Sequence, residues 1–129
     1  LNTHQLTTLV NFNGANGDVP YGALLLDSSG DLFGTTNYGG TNDMGTVFEI
    51  NRTTHELTTL ASFTGDNGRA PMGDLIFGPD ASLYGTTEFG GANEVGTVFE
   101  VTVPEPSSGL LVTLSAAGIL ARRRRQKLR

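Results

Sequence analysis

Residues 6–50 read LTTLVNFNGANGDVPYGALLLDSSGDLFGTTNYGGTNDMGTVFEI, and residues 57–101 read LTTLASFTGDNGRAPMGDLIFGPDASLYGTTEFGGANEVGTVFEV. The two stretches align at a constant offset of 51 with no insertion, and about half of their positions are identical. The likeness starts earlier still, since Thr3 and His4 match Thr54 and His55. A period of this length marks one supersecondary unit repeated along the chain, a unit too small to bury its apolar face alone.

Each copy holds four strand-like runs separated by turn chemistry. In the second copy, Leu57, Thr59, Ala61 and Phe63 alternate onto one face of a strand. Gly65, Asp66, Asn67, Gly68 and Pro71 break it. Residues 74–77 form a short apolar run suited to a strand buried on both faces. Gly78, Pro79, Asp80 and Ala81 then turn the chain, as Asp27, Ser28, Ser29 and Gly30 do in the first copy. Residues 82–87 make the third run, ended by Gly90 and Gly91. Residues 96–101 make the fourth, with Thr97, Phe99 and Val101 opposite Val98 and Glu100. Residues 51–56 are expected to join one fourth strand to the next first strand as a hairpin. Glycine, threonine and β-branched residues recur too often for a helical stripe. The eighteen glycines follow no three-residue period, so they mark turns instead of collagen.

Four short antiparallel strands in about fifty residues is the size of a β-propeller blade. The LYGTT, paired-glycine and GTVFE motifs resemble a bacterial repeat family carrying the phrase LYGTT…GG…GTVF, common in tandem arrays on exported proteins. The resemblance covers most of residues 1–102 and implies a propeller-like architecture. The first copy departs from it at Phe33, where the second has Tyr84. The expected fold is all-β: two four-stranded antiparallel blades, residues 3–53 and 54–102, with a transmembrane helix after them. A ring needs roughly four to eight blades. The chain begins at Leu1 instead of Met, so further blades upstream are expected. Associating copies or a compact two-sheet unit are the alternatives. Within this chain, two blade-like sheets should pack face to face.

The 129 residues suffice for one small domain and a tail. The chain has no cysteine, which excludes a disulfide framework, a thiolate metal site and a cysteine nucleophile. Arg52 and Arg69 are the only Lys or Arg before residue 122, whereas all thirteen acidic residues lie at or before Glu105. A body with a net charge of −11 disfavours nucleic acid, whose binding needs clustered cations.

The last twenty-seven residues have a different character. Val103, Pro104, Glu105, Pro106, Ser107 and Ser108 precede an apolar run at 109–121, followed by Arg122, Arg123, Arg124, Arg125 and a basic end at 126–129. This order resembles the PEP-CTERM sorting signal of Gram-negative bacteria, whose carriers are exported and processed by a membrane protease called exosortase. The resemblance implies a processing motif at Pro104, Glu105 and Pro106, and a link to exopolysaccharide and biofilm. The physics of the run is compatible. Thirteen residues cover roughly 20 Å as helix, short of the span of about twenty residues, so the bilayer would thin or flanking residues snorkel. The four arginines would act as a membrane stop and stay cytoplasmic, placing the body outside the inner membrane. A buried C-terminal helix with a solvated basic end is the alternative.

No catalytic, cofactor-binding or metal residue is assigned. His4 and His55 occupy one repeat position in a polar turn and read as solvated. Glu49 and Glu100 are also equivalent, and a general acid/base pair needs two different environments at one cleft. Symmetry predicts similar environments for them. Asp27 to Asp31 and Gly65 to Gly68 offer oxygen ligands, but neither loop has the spacing of an EF-hand, and the same residues are what tight turns demand. Gly39-Gly40 and Gly90-Gly91 follow a strand end and open no helix, unlike a phosphate loop. Tyr21, Tyr38, Tyr84 and Phe89 are candidates for stacking on sugars, with core packing as the alternative.

The function expected is that of a non-enzymatic, membrane-tethered surface or matrix protein, with a structural or glycan- or protein-binding role. Its expected partners are an exosortase-type protease, the inner membrane and exopolysaccharide, with no nucleic acid and no cofactor. The alternative is a secreted carbohydrate-active propeller enzyme whose catalytic blades lie outside this sequence. A calcium-stabilised adhesion module is a third reading.

Overall fold

Each Gly-Thr-Thr of the repeat faces a Gly-Thr-Val-Phe across a sheet, and that pairing explains both motifs. Strands β3 (Leu32–Tyr38) and β4 (Thr46–Ile50) run antiparallel, with Gly34 opposite Phe48 and Thr36 opposite Thr46. Strands β7 (Leu83–Thr87) and β8 (Thr97–Val101) repeat the register, with Gly85 opposite Phe99 and Thr87 opposite Thr97. A Cβ at Gly34 would lie 2.6 Å from the Phe48 ring, and one at Gly85 would lie 2.6 Å from the Phe99 ring. Glycine lets each ring lie across the neighbouring strand. The threonines serve the polar accounting. The Thr36 hydroxyl donates to the Tyr38 carbonyl at 2.9 Å and stands 2.7 Å from the Thr46 hydroxyl. A hydroxyl has one proton, so Thr46 is the donor of that pair. Thr87 and Thr97 do the same at 2.7 Å, with Thr87 donating to the Phe89 carbonyl at 2.9 Å.

The computed structural model describes residues 3–103, which hold strands, turns and loops and no helix. The other strands are β1 (Asp18–Pro20), β2 (Leu25–Leu26), β5 (Leu57–Ser62) and β6 (Ile76–Phe77). Both β1 and β2 pair with β3, which pairs with β4, which pairs with β5; all are antiparallel. Strands β6, β7 and β8 make a second antiparallel sheet.

The expected four strands in each sheet become five and three. The cause is β5, which belongs to the second sequence copy yet completes the sheet of the first. Residues 51–56 form the expected hairpin, with Asn51 N donating to Glu56 O at 3.0 Å and the Asn51 side chain capping Thr53 and Thr54. A short hairpin closes at little entropic cost, so β5 pairs with the strand nearest in sequence. Its counterpart in the first copy, residues 6–12, is not assigned as strand.

Two finer expectations also fail. The alternation through Leu57, Thr59, Ala61 and Phe63 is interrupted, because Ala61 opposes Val47 while Thr59 opposes Phe48, leaving Leu60 as the extra residue of a bulge. A bulge shifts every later side chain to the other face. The run at 74–77 pairs only through Ile76 and Phe77, and Ile76 is exposed instead of buried on both faces.

The two sheets share one apolar core. Phe33 and Val47 of the first meet Phe63, Leu75 and Leu83 of the second copy, flanked by Leu25, Met44, Leu60, Phe77 and Phe99. Phe33 meets Phe77 edge-on with ring centroids 5.6 Å apart, and Phe63 meets Phe99 at 5.0 Å. Such pairs add about 0.5–1.5 kcal/mol beyond burial. Backbone bonds fasten the same junction: Phe63 N to Gly45 O at 2.9 Å and Ala70 N to Met44 O at 3.0 Å. Ala23 N donates to the Asp74 carboxylate at 2.8 Å, joining the equivalent loop positions of the two copies. The described residues close no ring and contain no membrane-spanning helix; the expected span at 109–121 lies outside them.

Replacing Thr36 by Val should lower unfolding stability by about 1–3 kcal/mol in urea titration, because the buried Thr46 hydroxyl loses its acceptor. An unchanged midpoint would separate the threonine pair from stability.

Candidate functional site

A two-copy chain carries its own control: a feature exposed in both copies is a recurring surface, and one exposed in a single copy reflects its place in the order. Tyr38 and its counterpart Phe89 are both exposed. Tyr38 ends β3 opposite Asp18. Phe89 lies just beyond β7 opposite Arg69, with reciprocal backbone bonds of 2.9 and 3.2 Å. The Arg69 guanidinium carbon stands 4.8 Å from the centre of the Phe89 ring. Each sheet therefore presents one aromatic ring beside one charged residue at the same strand end. A flat apolar ring with polar neighbours suits an amphipathic planar ligand such as a sugar face. The other two aromatic candidates separate from these. Tyr21 is exposed while its counterpart Met72 is half-buried, and Tyr84 is half-buried while its counterpart Phe33 is buried.

The paired glycines beside these rings are backbone crossings. Gly39 and Gly90 hold φ of 81° and 83°, and a Cβ on either would come within 2.6 Å of a carbonyl oxygen, Gly14 O or Gly65 O. Their neighbours use those carbonyls: Gly40 N donates to Gly14 O and Gly91 N to Gly65 O, each at 2.9 Å. Each loop thus clamps the chain that follows the repeat's first strand.

The acidic loops are occupied by their own turns. Asp27 accepts from Ser29 N and Asp31 N, both at 2.9 Å, and Asp31 accepts from Arg52 N at 2.8 Å. In the Gly65–Gly68 turn, Asn67 Oδ1 accepts from Thr64 N at 2.8 Å. Among the described residues no three His, Asp or Glu side chains are grouped to hold a metal ion. His4 and His55 are exposed, and His55 sits in the 51–56 turn at φ 63°.

The two glutamates differ, against the expectation from symmetry. Glu49 is half-buried, and burial raises its carboxyl above the ordinary value, with Asp31 and then Asp27 adding to the rise. Glu100 is exposed and accepts from the Tyr84 hydroxyl at 3.1 Å, a bond that raises the phenol above its ordinary value. The second sheet covers Glu49's side of β4, and nothing among the described residues covers the same side of β8.

Pro104, Glu105, Pro106 and the stop at Arg122, Arg123, Arg124 and Arg125 lie outside the described residues. This chain belongs to the Gloeobacter/Verrucomicrobia repeat family. The family's model matches residues 1–125. No curated protein and no solved structure matches the chain. The match makes this Gloeobacter/Verrucomicrobia repeat chain a repeat protein, and it carries no sorting, export or processing assignment.

A raised carboxyl in the folded state means that the folded chain holds the Glu49 proton more tightly than the unfolded chain. That contribution is present below the ordinary carboxylate range and is lost as pH rises through the folded value. The Tm of the unmodified protein relative to Glu49→Gln should therefore fall between about pH 3.5 and pH 7. A constant difference across that interval would uncouple Glu49 from stability.

Proposed function

We propose that this chain is a non-enzymatic, exported repeat protein of the bacterial cell surface or extracellular matrix. Residues 103–129 hold it in the inner membrane until an exosortase-type protease processes it near Pro104, Glu105 and Pro106. The observation that carries this reading is the order at the chain end: a proline-flanked glutamate, thirteen apolar residues and four arginines. A proline disfavours helix at the residue before it, and proteases accept extended segments.

Residues 1–102 make the exposed body, as two propeller-like units over 3–53 and 54–102. The antiparallel order from β1 and β2 through β3 and β4 to β5 supports a blade-like architecture, since it has the four positions of a blade, with β5 reaching into the first sheet from the second repeat. A structural or binding role is supported by the use of the acidic loops as turn locks. The binding surface we assign is the recurring aromatic pair Tyr38 and Phe89, with exopolysaccharide as the ligand class.

Two measurements test the reading. Replacing Pro104 and Pro106 together by Ala should leave an unprocessed, membrane-bound precursor in cell fractionation; processing at the normal rate removes the sorting assignment. Tyr38→Ala and Phe89→Ala should each weaken retention on the host's own exopolysaccharide about three- to tenfold, with an unchanged circular dichroism spectrum. Equal retention by the double variant would leave these rings without a ligand.

A further inference from the structure

Both halves of one inter-unit contact are exposed on this chain, at opposite ends of the repeat order. Inside the chain, β5 lies on the edge of β4 with Ser62 opposite Thr46, Ala61 opposite Val47, Thr59 opposite Phe48, Thr58 opposite Glu49 and Leu57 opposite Ile50. The counterpart of β4 is β8, which among the described residues pairs with β7 on one side only. The counterpart of β5 is the segment 6–12, which pairs with no strand among the described residues. We infer that copies of this chain join head to tail, with residues 6–12 of one copy laid as a strand on the free edge of β8 of the next. Shifting the β4–β5 register by one repeat sets Asn11 opposite Thr97, Val10 opposite Val98, Thr8 opposite Phe99, Thr7 opposite Glu100 and Leu6 opposite Val101.

Burial in the two copies marks both surfaces. Val47 is 0% exposed under the second unit, whereas its counterpart Val98 is 80% exposed. Leu75 is 3% exposed against the first unit, whereas its counterpart Leu24 is 55% exposed. Leu6 is 93% exposed where Leu57 is half-buried, and Val95 is 80% exposed where Met44 is half-buried. The acceptor side is thus Val95 and Val98; the donor side is Leu6, Leu9, Val19 and Leu24. Apolar groups bared in one copy and covered in the other are what a missing neighbour of the same kind would cover.

The donor end already has the shape that the contact needs. Phe12 packs edge-on against Phe48 at 5.2 Å, as Phe63 does against Phe99 at 5.0 Å. The Gly14–Gly17 turn repeats the Gly65–Gly68 turn, with reciprocal backbone bonds in each. Val19 holds φ 56°, unusual for a β-branched residue, and matches Ala70 at 57°, whose N–H bonds across the unit junction. The segment therefore leaves the first unit as β5 leaves the second. It carries no charge from Leu6 to Phe12, so Glu100 would face Thr7 as Glu49 faces Thr58. One bond is not reproduced: Ala23 stands where Asp74 accepts from the preceding unit. The occupant is a second copy because the chain itself carries the donor strand and the acceptor edge in matching register. The contact is heterologous, so it runs on or closes.

The test uses the full chain in detergent micelles, which contains no native cysteine. Val10→Cys and Val98→Cys are made separately, mixed, and treated with a short thiol-specific cross-linker. Cross-links between the two variants, with far fewer in either alone, support head-to-tail pairing. Equal cross-linking of Val98→Cys with itself shows β8 meeting β8 and overturns it, as does the absence of any cross-link. Sedimentation velocity supplies the second measurement. Unmodified protein should sediment as more than one copy, more so at higher salt, which screens the repulsion between acidic bodies. Val98→Lys, and the double change of Thr7 and Thr8 to Pro, should each give monomer with an unchanged spectrum. Adjacent residues of a strand point their N–H groups to opposite edges, so the double proline change removes a ladder donor whichever edge is used. A monomeric unmodified chain, or variants that associate as well as it does, would overturn the inference.

Discussion

The pairing of β5 with β4 is the constraint on which the rest depends. A strand's backbone groups need partners, and β4 has Thr46, Val47, Phe48 and Ile50 buried at its sheet's centre. Its inner edge is filled by β3 of its own copy, and its outer edge by β5 of the next. The hairpin at 51–56 therefore works as a link between units. By carrying β5 across, it brings Phe63 to the junction, where that ring joins Phe33, Val47, Leu75 and Leu83 in one core. Neither copy completes its sheet from its own residues.

Little in this body is left over from structural duty. Glycines opposite Phe48 and Phe99 make room for rings, threonine pairs satisfy each other's hydroxyls, and aspartates lock turns. A chain with few cations and many acids could be read as a cation binder, yet its carboxylates bond backbone N–H groups at turns. Among the large apolar and aromatic side chains described, the pair exposed at the same position of both copies is Tyr38 and Phe89.

Much of the fold was legible because a gapless repeat halves the problem. Gly-Asp-Asn-Gly and Gly-Pro-Asp-Ala marked turns, and the hairpin at 51–56 followed from its polar residues. The bulge at Leu60 was not legible, since period-two alternation carries no sign of an inserted residue. Ile76 looked buried by its apolar neighbours, but its side faces away from the other sheet. At the candidate site, four aromatic residues looked equivalent by composition; exposure reduced them to two. Glu49 and Glu100 looked equivalent by symmetry, and the order of the units made them different.

What the sequence by itself determined is local: a 51-residue period, an all-strand unit and the turn positions. What only the tertiary structure decided is ownership and exposure, namely that β5 completes the preceding sheet and that, among the described residues, 6–12 pair with no strand and β8 pairs along one edge. The physical reason is that identical sequences share local preferences but not neighbours. Propensity acts within a few residues, whereas burial and strand pairing depend on which unit stands alongside.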